Sequence, residues 1–324
     1  MRKPTRPREV GRGERVLPGV WRLRLPLPWP GVPHCNAWAI AAGDGIVLVD
    51  TGTHEPGSLA NLERALDQVR LRIEQIRLVV VTHAHADHCG QAHPIAERAG
   101  CEVWAHPNHA HFSAYADDPE AAHARRVEIA RASGVPKDPP YSGRSLASGP
   151  LEPDRDLVPG VEIETDLGPW TVHETPGHAP SHVCLFQPER RVLLSGDHLL
   201  GRVSLYFDYG HTPDPVGEFV GSLDTVEALN ARLALSGHGR PFADVAEHIT
   251  ANRRLVAERL DATLAGLADG PLTPYDLAPA VYGDAFRPEV AGWLLSKLLC
   301  YLTHLEATGA VQRLDGEPER WATL

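Results

Sequence analysis

The segment Thr82-His83-Ala84-His85-Ala86-Asp87-His88 places three imidazoles and a carboxylate directly after the apolar run Leu78-Val79-Val80-Val81. A buried strand that hands so many nitrogen and oxygen donors to its own end describes a metal site. Imidazole and carboxylate are the ligands that borderline divalent cations take, and Zn²⁺ imposes little geometry of its own, so short spacing on a turn suffices. The Asp between the histidines leaves a donor for a second ion. One loop cannot surround a catalytic cation and still leave a position open, so further ligands must come from distant segments.

Three candidates follow in order. His178 ends Thr175-Pro176-Gly177-His178, Asp197 ends Val192-Leu193-Leu194-Ser195-Gly196-Asp197, and His238 lies in Leu235-Ser236-Gly237-His238-Gly239. Each comes after a strand-like apolar run, with Gly where the backbone must turn tightly. Four loops of this kind can converge on one sheet edge.

The series His-x-His-x-Asp-His, then His, Asp and His, resembles the metallo-β-lactamase superfamily, with all seven ligand positions matched. Ile46-Val47-Leu48-Val49-Asp50-Thr51-Gly52 is similar to that family's buried strand ending in Asp-Thr-Gly. The resemblance covers residues 16 to 245. It implies one metal on His83, His85 and His178, a second on Asp87, His88 and His238, and Asp197 bridging them. Two divalent ions are implied, Zn²⁺ first, with Fe or Mn acceptable to the same ligands. A hydroxide bridging the two metals, from water whose pKa falls from about 15.7 toward roughly 7, is the implied nucleophile toward a carbonyl or phosphorus. Asp87 orients it and passes its proton to the leaving atom. Asp50 and His182 are expected to make hydrogen bonds behind the ligands. His85 stands where the flavodiiron branch usually carries Glu.

The Thr-Pro-Gly-His loop and the Ser-Gly-Asp-His strand end look most like the glyoxalase II and broader thioesterase or lactonase branches. The expected reaction is therefore hydrolysis of a thioester or related ester or lactone, such as an acylglutathione. A phosphodiesterase or ribonuclease is the alternative within the superfamily. A non-enzymatic metal-containing ligand sensor is the alternative outside it.

A chain of 324 residues, 43% hydrophobic and 23% charged, has enough apolar material for one large domain and a small one. No run approaches the roughly 18 apolar residues of a membrane span, and the basic start lacks an apolar signal core. A cytoplasmic enzyme acting on a small molecule is expected, with a homodimer an open option. The five cysteines are widely spaced and form no Cys-x-x-Cys, which predicts reduced thiols. A net charge of −11 disfavours nucleic acid, whose binding needs clustered Lys and Arg. Residues 1 to 15 are the exception, with Arg2, Lys3, Arg6, Arg8, Arg12 and Arg15 against Glu9 and Glu14, and read as a solvated, loosely held arm.

Apolar runs alternate with helical segments in the manner of an α/β fold, two sheets covered by helices on their outer faces in a four-layer αββα sandwich. The stretch between His88 and His178 is longer than a few strands require, so residues 107 to 159 are expected to be an insertion that shapes the pocket. Within it Ala121 to Ser133 reads as a helix, and Phe112, Tyr115 and Tyr141 line a cavity or pack the insertion down. Residues 246 to 270 read as a connecting helix. Residues 271 to 324, with helices at Thr273 to Tyr282 and Pro288 to Thr308 and a hairpin around Asp315-Gly316, resemble a separate winged-helix module. Its four basic against seven acidic residues favour a structural, pocket-covering or dimer-forming role over DNA binding. His198 and Cys89 are expected to pack, and His106, His109 and His111 to lie at the surface or pocket rim. Tyr206, Phe207 and Tyr209 are the expected substrate neighbours.

Overall fold

The computed structural model describes residues 10–29, 31–141 and 146–324. The first sheet opens with β1 (Arg12–Leu17), β2 (Val20–Trp29), β3 (Val32–Ala42) and β4 (Gly45–Val49) as antiparallel neighbours. After α1 (Ser58–Gln68) comes β5 (Ile76–Val80), after α2 (Ala86–Cys89) and α3 (Ala92–Ala99) comes β6 (Glu102–Ala105), and after α4 (Ala110–Asp117) and α5 (Pro119–Ala132) comes β7 (Arg155–Asp156). From β4 to β7 the strands run parallel, in the order of the chain. The second sheet comprises β8 (Glu162–Ile163), β9 (Trp170–Glu174), β10 (Val183–Gln187), β11 (Val192–Gly196) and, after α6 (Pro215–Ala228), β12 (Leu233–Ser236), in the order β12-β11-β10-β9-β8. There follow α7 (Val245–Gly266), α8 (Pro274–Tyr282), α9 (Ala291–Ala307) and the hairpin β13 (Val311–Leu314) with β14 (Arg320–Thr323).

The two-residue side-chain period of strands explains the layering. Along β3 and β4, Trp38, Ile40, Val47 and Val49 point between the sheets to meet Trp170, Val172, Leu185 and Leu194. The alternate residues Ala37, Ala39, Ile46 and Leu48 face outward, under Leu62, Ala65 and Leu66 of α1 and Ile95 of α3. Those helix residues recur at the three- and four-residue spacing that makes one apolar face. The outer face of the second sheet, with Phe186, Leu193 and Ala234, lies under α6 and α7. Buried on both faces, β4 contributes apolar area at every position, worth about 1.5 to 3 kcal/mol for each large side chain. The helix starts follow ordinary capping rules: Asp214 accepts from the Gly217 amide at 2.9 Å with Pro215 in the first turn, and Thr273 accepts from Asp276 at 3.1 Å.

Part of the expected loose arm is sheet. Arg12 to Leu17 form β1, and the charged run is accommodated because the Glu14 carboxylate pairs with the guanidinium of Arg22 on β2. The amides of Gly11 and Gly13 donate to the side chains of Asn61 and Gln68 on α1 at 3.0 and 3.1 Å. A Cβ on either glycine would overlap the helix backbone at 1.8 and 2.0 Å, so the strand lies against α1 because it carries none. Arg2, Lys3, Arg6, Arg8 and Glu9 lie outside the described residues.

The stretch from residue 107 holds two helices, and Phe112 packs into the core beside α3 while Tyr141 is exposed. In the last segment Leu277, Leu298, Tyr301 and Trp321 belong to one cluster of buried residues with Phe207, Phe219 and Leu193. No helix among the described residues is long and apolar enough to cross a membrane.

Candidate metal centre

β9, β11 and β12 run in the same direction, so the loops bearing His178, Asp197 and His238 leave from one edge of the second sheet. The loop after β5 arrives at that edge from the first sheet, carrying His83 and His85, with Asp87 and His88 on α2. Gly177, at a φ of +119°, lets the His178 loop approach α6 so closely that a Cβ would sit 2.5 Å from the Phe219 backbone.

Seven side chains converge. His83, His85 and His178 form one group of donors, and Asp87, His88 and His238 another, each with its donor atoms within 4.8 Å of one another. Asp197 stands between them. Its Oδ2 lies 3.8 Å from His178 Nε2 and 3.1 Å from His238 Nε2, and its Oδ1 lies 3.6 Å from His88 Nε2. Asp87 Oδ2 is 3.2 Å from His238 Nε2 and 3.5 Å from His88 Nε2.

The outward nitrogen of every one of these imidazoles has a partner. His88 Nδ1 donates to Asp50 Oδ2 at 2.9 Å, His178 Nδ1 to the Tyr206 carbonyl at 3.0 Å, and His238 Nδ1 to the His34 carbonyl at 3.0 Å. His83 Nδ1 meets Thr82 Oγ1 at 3.0 Å, and the Thr82 hydroxyl donates onward to Asp50 at 2.9 Å. His85 is turned the other way, its Nε2 donating to Asp208 Oδ2 at 2.8 Å and its Nδ1 facing inward, 3.1 Å from His178 Nε2. Anchoring the far nitrogen fixes the tautomer and leaves a lone pair aimed at the centre, which is what a cation requires.

Electrostatics divides the site in two. Burial, reinforced by neighbouring imidazoles, pushes His83 well down and His178 down to about 4, so these two are held neutral, whereas at His85 burial is outweighed by Asp208 and the imidazole is raised. Around His238 burial acts in the same direction, but Asp197 and Asp87 override it and raise the imidazole to about 10. Burial also opposes the charge on Asp87, where His88 and His238 outweigh it and hold the carboxyl well below the usual range. Positive charge is thus demanded beside two buried carboxylates. His83 Nε2, His88 Nε2 and Asp197 Oδ1 are buried with no hydrogen-bond partner. Unpaired buried polar atoms are costly, so three of them facing one space fit bound cations.

Asp50 sits behind the centre, accepting from the Thr82 amide at 2.8 Å as well as from His88. His182 holds the Asp197 turn, its Nε2 accepting the Asp197 amide at 3.1 Å while Thr175 Oγ1 lies 2.8 Å from its Nδ1. Of the three aromatic residues expected at the substrate, Tyr206 has its ring 5.7 Å from that of His178 and 6.0 Å from that of His85. Phe207 does not fit that expectation. It is fully buried, 5.3 Å from Phe219 and 5.9 Å from Tyr301 between ring centres, because alternate residues of this extended segment face opposite ways. Tyr209 packs, half-buried, against the same core.

Asp208 carried no sequence signal, and His111 was expected only at the surface or pocket rim. Asp208 is one isolated acid, and only the folded chain brings it to His85. Burial opposes its charge, but His85 outweighs burial and lowers the carboxyl to about 2. His111 on α4 lies with Nε2 3.8 Å from Asp208 Oδ2 and is lowered by burial to about 4. The expectation of rim histidines holds poorly for His106, which is buried and 3.0 Å from Glu174, whereas His109 bonds its own helix at Ser113.

A family model described as the metallo-β-lactamase superfamily matches residues 30–238. The probable metallo-hydrolase YqjP of Bacillus subtilis is 24% identical over 307 residues, spanning 91% of this chain and 92% of the relative. The acyl-coenzyme A thioesterase MBLAC2 of Homo sapiens is 24% identical over 219 residues, spanning 64% of this chain and 74% of its own. The crystal structure of a metallo-β-lactamase family protein from Thermus thermophilus superposes with a TM-score of 0.84 at 29% identity, covering 95% of this chain and 99% of that one. A β-lactamase domain protein from Burkholderia ambifaria gives 0.80 at 25% identity, with 96% and 93% covered. The chain is a hydrolase of the metallo-β-lactamase superfamily.

Proposed function

We propose that this hydrolase works with two divalent cations and cleaves a thioester or a related ester or lactone of a small molecule. The observation that carries the two-cation reading is the pair of three-donor groups flanking Asp197, each imidazole locked by a hydrogen bond on its far side. His83, His85 and His178 would hold one ion, Asp87, His88 and His238 the other, and Asp197 both. When bound, divalent cations there supply Lewis acidity toward the scissile oxygen and ionise water near neutral pH. Zn²⁺ suits the nitrogen-rich set, and Fe or Mn fits the same donors.

The residues of the chain divide the remaining work. Asp87 Oδ2, beside His238 Nε2 and His88 Nε2, would orient the attacking water, take its proton and return it to the leaving atom. A thiolate or alkoxide leaving group needs that proton less or more urgently, so the same carboxylate serves thioesters and esters. Tyr206, half-buried with its ring beside His85 and His178, forms one wall for the acyl group.

The acyl-coenzyme A thioesterase among the relatives supports the thioester reading, and the charge of −11 weighs against a polyanionic substrate. The order of α8, α9 and the β13–β14 hairpin supports a winged-helix-like arrangement used for packing, since Leu298 and Tyr301 are buried against the main core. Five free thiols suit a cytoplasmic setting. Purified protein loaded with Zn²⁺, assayed on acyl-coenzyme A, acylglutathione and lactone panels beside a phosphodiester reporter, should turn over acyl substrates. Turnover of the phosphodiester alone would replace the reading with the phosphodiesterase alternative, and turnover of none would leave the sensor.

A further inference from the structure

His85 differs from the other four imidazoles of the centre. His83, His88, His178 and His238 turn Nε2 inward and Nδ1 outward, whereas His85 turns Nδ1 inward and Nε2 outward. A neutral imidazole offers a lone pair at Nδ1 only when its proton sits on Nε2, so something must hold the proton there. Asp208 Oδ2, 2.8 Å from that Nε2, is an acceptor and nothing else while ionised.

Asp208 is held in place from two sides. Its own amide donates to the His178 carbonyl at 3.2 Å, and two residues earlier the Tyr206 carbonyl accepts from His178 Nδ1 at 3.0 Å. Between them Phe207 is sunk into the core against Phe219 and Tyr301, and its carbonyl accepts from Ser296 Oγ on α9 at 3.2 Å. Residues 206 to 208 therefore grip two ligands of the three-histidine group and are pinned by the C-terminal helix. His111, the nearest other imidazole, places Nδ1 3.0 Å from the Asn108 carbonyl and so carries its proton there; its Nε2 faces Asp208 as an acceptor and does not compete with His85.

We propose that Asp208 is the positioning residue for His85 in the three-histidine half of the centre. It fixes His85 in the tautomer that presents Nδ1, and the C-terminal helix serves that half by pinning the segment that carries Asp208. The proposal rests on the two-cation reading above. Outer carboxylates of this kind commonly change metal affinity by about 10- to 100-fold when altered.

The test is a Co²⁺ titration of the metal-free full-length protein, followed by its visible d–d absorption, for wild type, Asp208→Asn and Asp208→Glu. An amide keeps the shape of Asp208 but can donate as well as accept, so it no longer fixes the tautomer of His85. The expected result is two ions in the wild type, with one of them bound about 10- to 100-fold more weakly in Asp208→Asn and an altered d–d envelope for that ion. Asp208→Glu should recover part of the affinity, and the metal-free melting temperatures should agree. Equal affinities and spectra in wild type and Asp208→Asn would overturn the proposal. A metal-free Asp208→Asn protein that melts early would overturn it too, by making Asp208 a residue of the fold. Failure of the two-cation reading looks different, since the wild type itself would then bind fewer than two ions.

Discussion

Asp50 Oδ2 accepts a 2.9 Å hydrogen bond from His88 Nδ1 while the Asp50 backbone sits at a φ of +62°. The left-handed conformation costs a non-glycine residue roughly 1 to 2 kcal/mol, and Asp and Asn tolerate it best. Here it turns the carboxylate toward both His88 and Thr82, so one strained residue orients two imidazoles. Asp50→Asn accepts the same backbone and isolates the charge. It should stay folded and bind metal about 10- to 100-fold more weakly. Metal content after dialysis against graded chelator reads this directly, and unchanged content would refute it.

A Cβ built on Gly237 would lie 2.2 Å from Asp197 Oδ1 and 2.7 Å from His88 Cε1. No backbone strain is involved, because the glycine has no positive φ. Gly237→Ala should displace the carboxylate shared by both donor groups without removing any ligand. A displacement near 1 Å typically costs about 100-fold in rate, so kcat should fall by about that factor. Wild-type kcat in this variant would show that Asp197 does not need its observed position.

His182 contributes through the Asp197 amide, which it accepts at 3.1 Å in a buried setting. His182→Ala leaves that N–H unpaired, at a cost of about 1 to 3 kcal/mol. The urea midpoint of the metal-free protein should drop accordingly. An unchanged midpoint would mean that the turn is held by other contacts.

Lys297 offers a test away from the centre. Burial, helped by Arg259, lowers its ammonium to about 8, and it reaches the Tyr282 ring at 5.8 Å. Below pH 8 the lysine is charged in both states and the folded protein carries the full penalty. Between about pH 8 and 10.5 the unfolded chain binds more protons than the folded one, so stability rises with pH. Lys297→Met should therefore be more stable than wild type at pH 7, by about 1 to 2 kcal/mol after loss of the ring contact. That advantage should shrink toward pH 10.5. Urea unfolding of both proteins at pH 7 and pH 10 checks the sign, and an advantage that grows with pH would contradict it.

The loops that bring the seven donors together were legible because the chemistry is local: His83 to His88 are contiguous, and His178, Asp197 and His238 follow strands that are in fact β9, β11 and β12. β1 was not legible, since Arg12-Gly13-Glu14-Arg15 has no apolar alternation and owes its pairing to Arg22 and to contacts with α1. Asp208 was hidden for another reason. The aromatic residues around it draw the eye toward the pocket, yet Phe207 faces the core and the acid between the aromatics faces His85. Which side an extended segment turns to the site is decided by packing against α6 and α9, and no local pattern records it.

The most direct test of the account is metal counting joined to activity. Protein stripped with chelator, then titrated with Zn²⁺ while hydrolysis of its best acyl substrate is followed, should be inactive at the start and reach full rate as two ions per chain bind. Asp197→Asn should fail to recover under the same titration. Full turnover by the metal-free protein would contradict the account.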